Sequence, residues 1–167
     1  MMVAVDVDYR ASSAIVAGVI FDNWLDNKPV REITAQICEV KEYISGQFYQ
    51  RELPCILELL RQINELPECI IIDGYVYLSA EKRPGMGKHL YDALEGKVAV
   101  IGVAKKPFKD MPPEIEVYRG KSKRPLYVTA TGISEEVAKQ CIADMDGNNR
   151  LPTLLKRVDQ LCRTTKL

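Results

Sequence analysis

Histidine is almost missing from this chain. His89 is the only one in 167 residues, and the five cysteines (Cys38, Cys55, Cys69, Cys141 and Cys162) are scattered, with no CxxC pair. A zinc site needs clustered nitrogen and sulfur ligands, so the sequence argues against zinc. An odd number of thiols beside apolar residues, as in ECI around Cys69 and QCIA around Cys141, reads as reduced and mostly buried sulfur. Long apolar runs are missing too, which leaves no segment able to cross a bilayer. The opening MMVAVDVDY lacks the basic-then-apolar layout of a secretory leader. The expectation is a cytoplasmic chain with no membrane partner. Net charge is likewise absent: 23 Lys and Arg balance 23 Asp and Glu, so composition alone gives no sign of nucleic acid. No repeat, low-complexity tract or linker interrupts the chain, and its length suits one domain over 1–167.

What is present is an ordinary globular balance, 47% apolar and 28% charged, with no signature of disorder. Positive charge is gathered locally at Lys82, Arg83 and Lys88, at Lys105, Lys106 and Lys109, and at Arg119, Lys121, Lys123 and Arg124. Such clusters can meet a few phosphates, and any one of them can equally be a solvated surface. Residues 2–8 alternate, with Val3, Val5 and Val7 on one face and Asp6 and Asp8 on the other. Strand-like stretches follow at 13–21 and 30–40, joined closely enough for an antiparallel meander. The spacing of Leu53, Ile56, Leu57, Leu60 and Ile63 predicts a helix over 52–66, with Pro54 in its first turn. CIIID (69–73) reads as a short buried strand, 84–95 as a helix and 97–105 as another buried strand. Weaker strands are expected near 114–118 and 125–130, and helices at 134–144 and 152–163. The order β-β-β-α-β-α-β predicts an α/β fold of the ribonuclease H-like type, in which a three-strand antiparallel meander feeds parallel strands of a mixed sheet flanked by helices.

Three acids stand out. Asp6 lies mid-strand, Asp73 ends a strand of apolar residues, and Glu52 opens the helix between them. Carboxylates so placed are costly unless paired or bound to a cation. In a mixed sheet the first strand can lie beside the fourth, which would bring Asp6 and Asp73 together. Oxygen ligands of this kind suit Mg²⁺, with Mn²⁺ able to substitute. Singly, each acid also has an ordinary reading: Asp73 before Gly74 as a turn residue, Glu52 as a favourable charge at a helix start.

Five segments, in order over roughly residues 2–163, resemble endonuclease V. VAVDVDY (3–9) is similar to the family's G-V-D-x-S-Y strand, EYISGQFYQRELP (42–54) to its P-Y-I-P-G-x-x-x-F-R-E-x-P stretch, and IIIDG (70–74) to its V-D-G strand end. GMGKH (85–89) is similar to G-x-A-S-H, and IGVAKK (101–106) to P-T-I-G-V-A-K. The resemblance implies a metal-dependent endonuclease acting on DNA or RNA at deaminated bases such as inosine, cutting one phosphodiester to the 3′ side of the lesion. It implies Asp6, Glu52, Asp73 and Lys105 as catalytic residues, with the three acids on the metal. It implies Tyr43 and Ile44 as a wedge into the nucleic acid. Gly46 and Gly74 would border the pocket for a flipped base, and His89 would lie beside the phosphate path.

The chain departs from the family pattern in four places. Glu42 and Ser45 stand where prolines flank the wedge, which loosens that loop. The loop D-G-x-G-x-x-H-P-R becomes DGYVYLSAEKRPG, about one residue longer and without its histidine, so the element that closes the inosine pocket is rebuilt. The family's late histidine after R-x-P appears as Asp159 after RLP (150–152), which adds a fourth carboxylate to the candidate metal set. The chain is also shorter than most members, at both ends and inside. These changes leave two further readings open: a nucleic-acid-binding member with altered base specificity, and a structure-selective nuclease. No protein partner can be read from the sequence.

Overall fold

The computed structural model describes residues 1–38, 40, 42, 44–45 and 49–166. Strands β1 (Met2–Tyr9), β2 (Ala14–Phe21) and β3 (Arg31–Ile37) form the antiparallel meander. They are followed by α1 (Tyr49–Leu60), β4 (Cys69–Asp73), α2 (Met86–Ala93) and β5 (Ala99–Ala104). A 3₁₀ turn at Pro113–Ile115 leads into β6 (Glu116–Val117), then β7 (Leu126–Thr131), α3 (Glu135–Asp144) and α4 (Thr153–Thr164). The sheet runs β3-β2-β1-β4-β5-β7-β6, with β1, β4 and β5 parallel and β7 antiparallel to β5. This is the ribonuclease H-like mixed sheet expected from the element order.

Both faces of the sheet are covered. Val3, Val5, Ile70, Ile72 and Val100 pack against α1 and α2, while Ala4, Ile71, Ile101 and Val103 pack against α3 and α4. The alternation in β1 therefore separates two buried faces, not core from solvent. Met2 and Ala4 are as enclosed as the valines, and Asp6 follows them onto the α4 side.

Helix α1 starts three residues before the predicted point and stops six earlier. Tyr49 packs on the core and carries the helix start back beyond Leu53. Past Leu60 the chain tightens, and Arg61, Gln62 and Ile63 donate to Glu58, Leu59 and Leu60 before Asn64 and Pro67 end the run. Glu52 is thus a turn inside the helix and does not open it. Pro54 lies in the second turn, where its missing N–H forgoes only the bond to the Gln50 carbonyl near the helix start.

Among the described residues no helix is long and apolar enough to cross a membrane. Cys55, Cys69 and Cys162 are buried free thiols, Cys141 is half-buried and Cys38 is exposed.

Candidate active site

The strand register builds the site. Val5 pairs with Ile72 and Ile72 with Gly102, so the next residues stand level: Asp6, mid-strand in β1 just past its pairing with β4, and Asp73, the last residue of β4. Asp6 is 9% exposed and accepts a hydrogen bond from the Val7 N–H at 2.9 Å. Asp73 is more open and meets the Lys105 Nζ at 3.4 Å. A cleft between these strand ends and α4 is lined by Asp6, Asp73 and Lys105, with Leu151, Leu155 and Val158 closing its apolar side.

Glu52 comes from the opposite face of the sheet, on the first turns of α1, and is 4% exposed. Burial, and then the charges of Asp6 and Asp73, push its carboxyl up to about 8, against a smaller pull from Arg51. Burial, and then Asp73, likewise push Asp6 up to about 7; the Val7 N–H and Lys105 oppose this, and Asp159 adds to it. The three acids and Asp159 therefore share one electrostatic neighbourhood. Asp159, on α4, is ion-paired with Arg163 at 3.0 Å.

These donors are all carboxylate oxygens, two of them buried and mutually repelling, which is the chemistry a hard divalent cation relieves. Their spacing is open: among the described residues no three His, Cys, Asp or Glu side chains form a ready metal cage.

The remaining expected residues divide. Ile44 is 53% exposed, free to meet a ligand. Gly74 has φ +142°, and a Cβ there would meet nothing within 4 Å, so its backbone lies open beside Asp73. His89, in α2, stacks on Tyr49 of α1. Tyr43 and Gly46 lie outside the described residues.

The rebuilt loop after Gly74 is a pinned hairpin. Tyr77 bridges to Pro84, the Leu78 N–H donates to the Arg83 carbonyl at 2.8 Å, and the Val76 N–H donates to Thr129 Oγ1 at 2.8 Å. The Tyr75 hydroxyl donates to the Lys106 carbonyl at 2.7 Å, and its ring leans on Phe108, over which Arg83 lies.

Arg119, grouped in the sequence with Lys121, Lys123 and Arg124 as local surface charge, is not on the surface. It is 5% exposed, and its guanidinium donates to the carbonyls of Met145, Gly147, Asn149 and Arg150. Arg150 and Arg10 also stood outside the sequence reading. Arg10 pairs with Asp8 and donates to the carbonyls of Cys162, Arg163 and Thr165, closing the end of α4 onto β1. The RLP segment was the one available signal for Arg150.

A mixed sheet of this order, with acids side by side on its central parallel strands β1 and β4, defines a ribonuclease H-like domain. Family comparison narrows the class: the endonuclease V family model matches residues 1–160. The chain belongs to the endonuclease V family. It is 26% identical over 165 residues to an endonuclease V of Alkalilimnicola ehrlichii, covering 88% of this chain and 72% of that one. A second match, to endonuclease V of Xylella fastidiosa, is 29% identical over 90 residues and covers 54% of this chain but only 36% of that protein. The fold superposes with a TM-score of 0.79 on Ciona intestinalis endonuclease V, solved with a 24mer DNA containing an inosine followed by a ribo-adenosine, at 19% identity, over 97% of this chain and 84% of that one.

Proposed function

We propose that this chain is a divalent-cation-dependent endonuclease, a single domain over residues 1–167, hydrolysing phosphodiester bonds in DNA or RNA at or near deaminated bases such as inosine. The observation that carries the reading is the pairing of Asp6 and Asp73 on one cleft between neighbouring strands, with the buried Glu52 of α1 near enough for its charge and theirs to repel. Family membership and the inosine-containing DNA held by the Ciona relative support it.

Asp6, Glu52 and Asp73, with Asp159 from α4, would hold Mg²⁺ or Mn²⁺. When bound, such an ion polarises the phosphate, lowers the pKa of the attacking water and steadies the leaving 3′-oxygen. Lys105, ion-paired with Asp73 at 3.4 Å, would offer its ammonium to a phosphate oxygen. By the family resemblance Gly74 and Gly46 would border the base, Tyr43 and Ile44 would enter the stack, and His89 would flank the phosphate path. The cytoplasm is where we place this activity.

The pinned hairpin after Gly74 favours a second reading, a nuclease or binding member with altered base choice. Its Tyr75 hydroxyl is already committed to the Lys106 carbonyl. One assay separates the readings: cleavage of inosine-containing and unmodified single- and double-stranded oligonucleotides in Mg²⁺ and in Mn²⁺. Inosine-dependent cutting supports the proposal, and cutting without inosine preference supports altered specificity. Binding without cutting would leave only the binding member.

A further inference from the structure

We propose that Arg150 is the positioning residue for Lys105, setting where its ammonium stands relative to Asp73. The inference rests on the nuclease reading above.

Lys105 lies one residue past β5, beyond the last ladder pair, Ala104 with Tyr127. A lysine stem has free rotors and a point charge at its tip, so its reach depends on where its backbone is held. The guanidinium of Arg150 supplies that hold. Its Nη2 donates to the Lys105 carbonyl and, at 2.6 Å, to the Pro125 carbonyl, while Nε donates to Pro125 at 3.1 Å. One planar fork thus ties the exit of β5 to the entry of β7, a geometry a single ammonium cannot reproduce.

Arg150 is itself seated. The Arg119 guanidinium gathers the carbonyls of Met145, Gly147, Asn149 and Arg150. Leu151, the next residue, lines the cleft that holds Asp6, Asp73 and Lys105. The segment entering α4 and the lysine facing it are therefore fixed by the same side chain. None of Arg150's hydrogen bonds goes to an acid of the site, so its influence passes through the Lys105 backbone.

The test is single-turnover and steady-state cleavage of an inosine-containing oligonucleotide by wild type, R150A, R150K, K105A and R150A/K105A. R150A is expected to lower kcat about 10- to 100-fold with KM little changed, as a displaced group near the reacting phosphate does. R150K should recover only part of this, and free guanidinium should restore activity to R150A. In the K105A background R150A should add no further loss. Losses that multiply in the double variant, or a change in KM alone, would overturn the proposal.

Amide hydrogen exchange gives a readout independent of cleavage. R150A should speed exchange at residues 103–106, and unchanged exchange there would overturn the tie. A wild-type chain that cuts nothing would defeat the nuclease reading, leaving the tie to be judged on exchange alone.

Discussion

The imidazole of His89 lies flat on the phenol ring of Tyr49, with centroids 3.7 Å apart and planes inclined by 16°. The stack joins the first turn of α2 to the first turn of α1, three residues before Glu52. His89→Ala should therefore destabilise the fold by about 1 kcal/mol, the usual worth of an aromatic pair beyond its buried area. It should also lower cleavage several-fold by loosening the helix that carries Glu52. Melting temperature and single-turnover rate read the two effects separately, and a variant unchanged in both would show the stack to be idle.

Removing one acid should stop cleavage and leave the fold intact. Asp6→Asn and Asp73→Asn each delete a charge without changing shape, so circular dichroism should be unchanged while product falls below detection. Full cutting by either variant, or by wild type in excess EDTA, would defeat the metal-dependent reading.

Stability of the metal-free chain should fall as pH rises from about 4 to about 8. The ordinary carboxyl values are 3.8 for Asp6 and 4.5 for Glu52, and burial raises them to about 7 and about 8. Between those limits the folded chain keeps protons that the unfolded chain has released, so each pH step upward favours unfolding. The loss accumulates across this window and levels off above both folded values. Thermal unfolding in EDTA at several pH values measures it. Asp6→Asn and Glu52→Gln should each flatten the slope, and Mg²⁺ should raise the melting temperature most near pH 8.

Arg119→Met should be among the most damaging single changes outside the acids. It leaves the carbonyls of Met145, Gly147, Asn149 and Arg150 without their shared donor in a largely enclosed place. A loss of about 3 kcal/mol is expected, read by urea denaturation. A loss below about 1 kcal/mol would mean that water replaces the guanidinium.

Gly102→Ala tests the packing beneath the candidate site. A Cβ there would stand 2.5 Å from the Gly74 carbonyl oxygen and 2.9 Å from the Val76 nitrogen. The backbone just after Asp73 would have to move, at a cost of about 1–3 kcal/mol, and cleavage should drop with it. Wild-type melting and cleavage would show that this backbone gives way freely.

The central strands and two of the acids were legible because buried parallel strands leave a mark. CIIID is a continuous apolar run that ends where the acid begins, and the short links from β1 to β3 allowed only a meander. From that order the adjacency of Asp6 and Asp73 followed. The start of α1 was not legible, since Tyr49, Gln50 and Arg51 carry no apolar period of their own. Nor were the arginine ties. An arginine that binds backbone carbonyls has no preferred spacing, and Arg119 sits among Lys121, Lys123 and Arg124, where the surrounding charge suggested a solvated surface. The depth of Arg119 depends on loop 145–150 folding over it, which is a tertiary fact.

The arginine ties at the two ends of α4 also bear on when the chain becomes competent. Arg10 reaches carbonyls at Cys162, Arg163 and Thr165, about 150 residues further along. β1 is therefore closed by a segment far along the chain, the same helix that bears Asp159. Under the proposed reading, the docking of α4 that closes the fold on β1 would also be what brings the fourth acid to the other three.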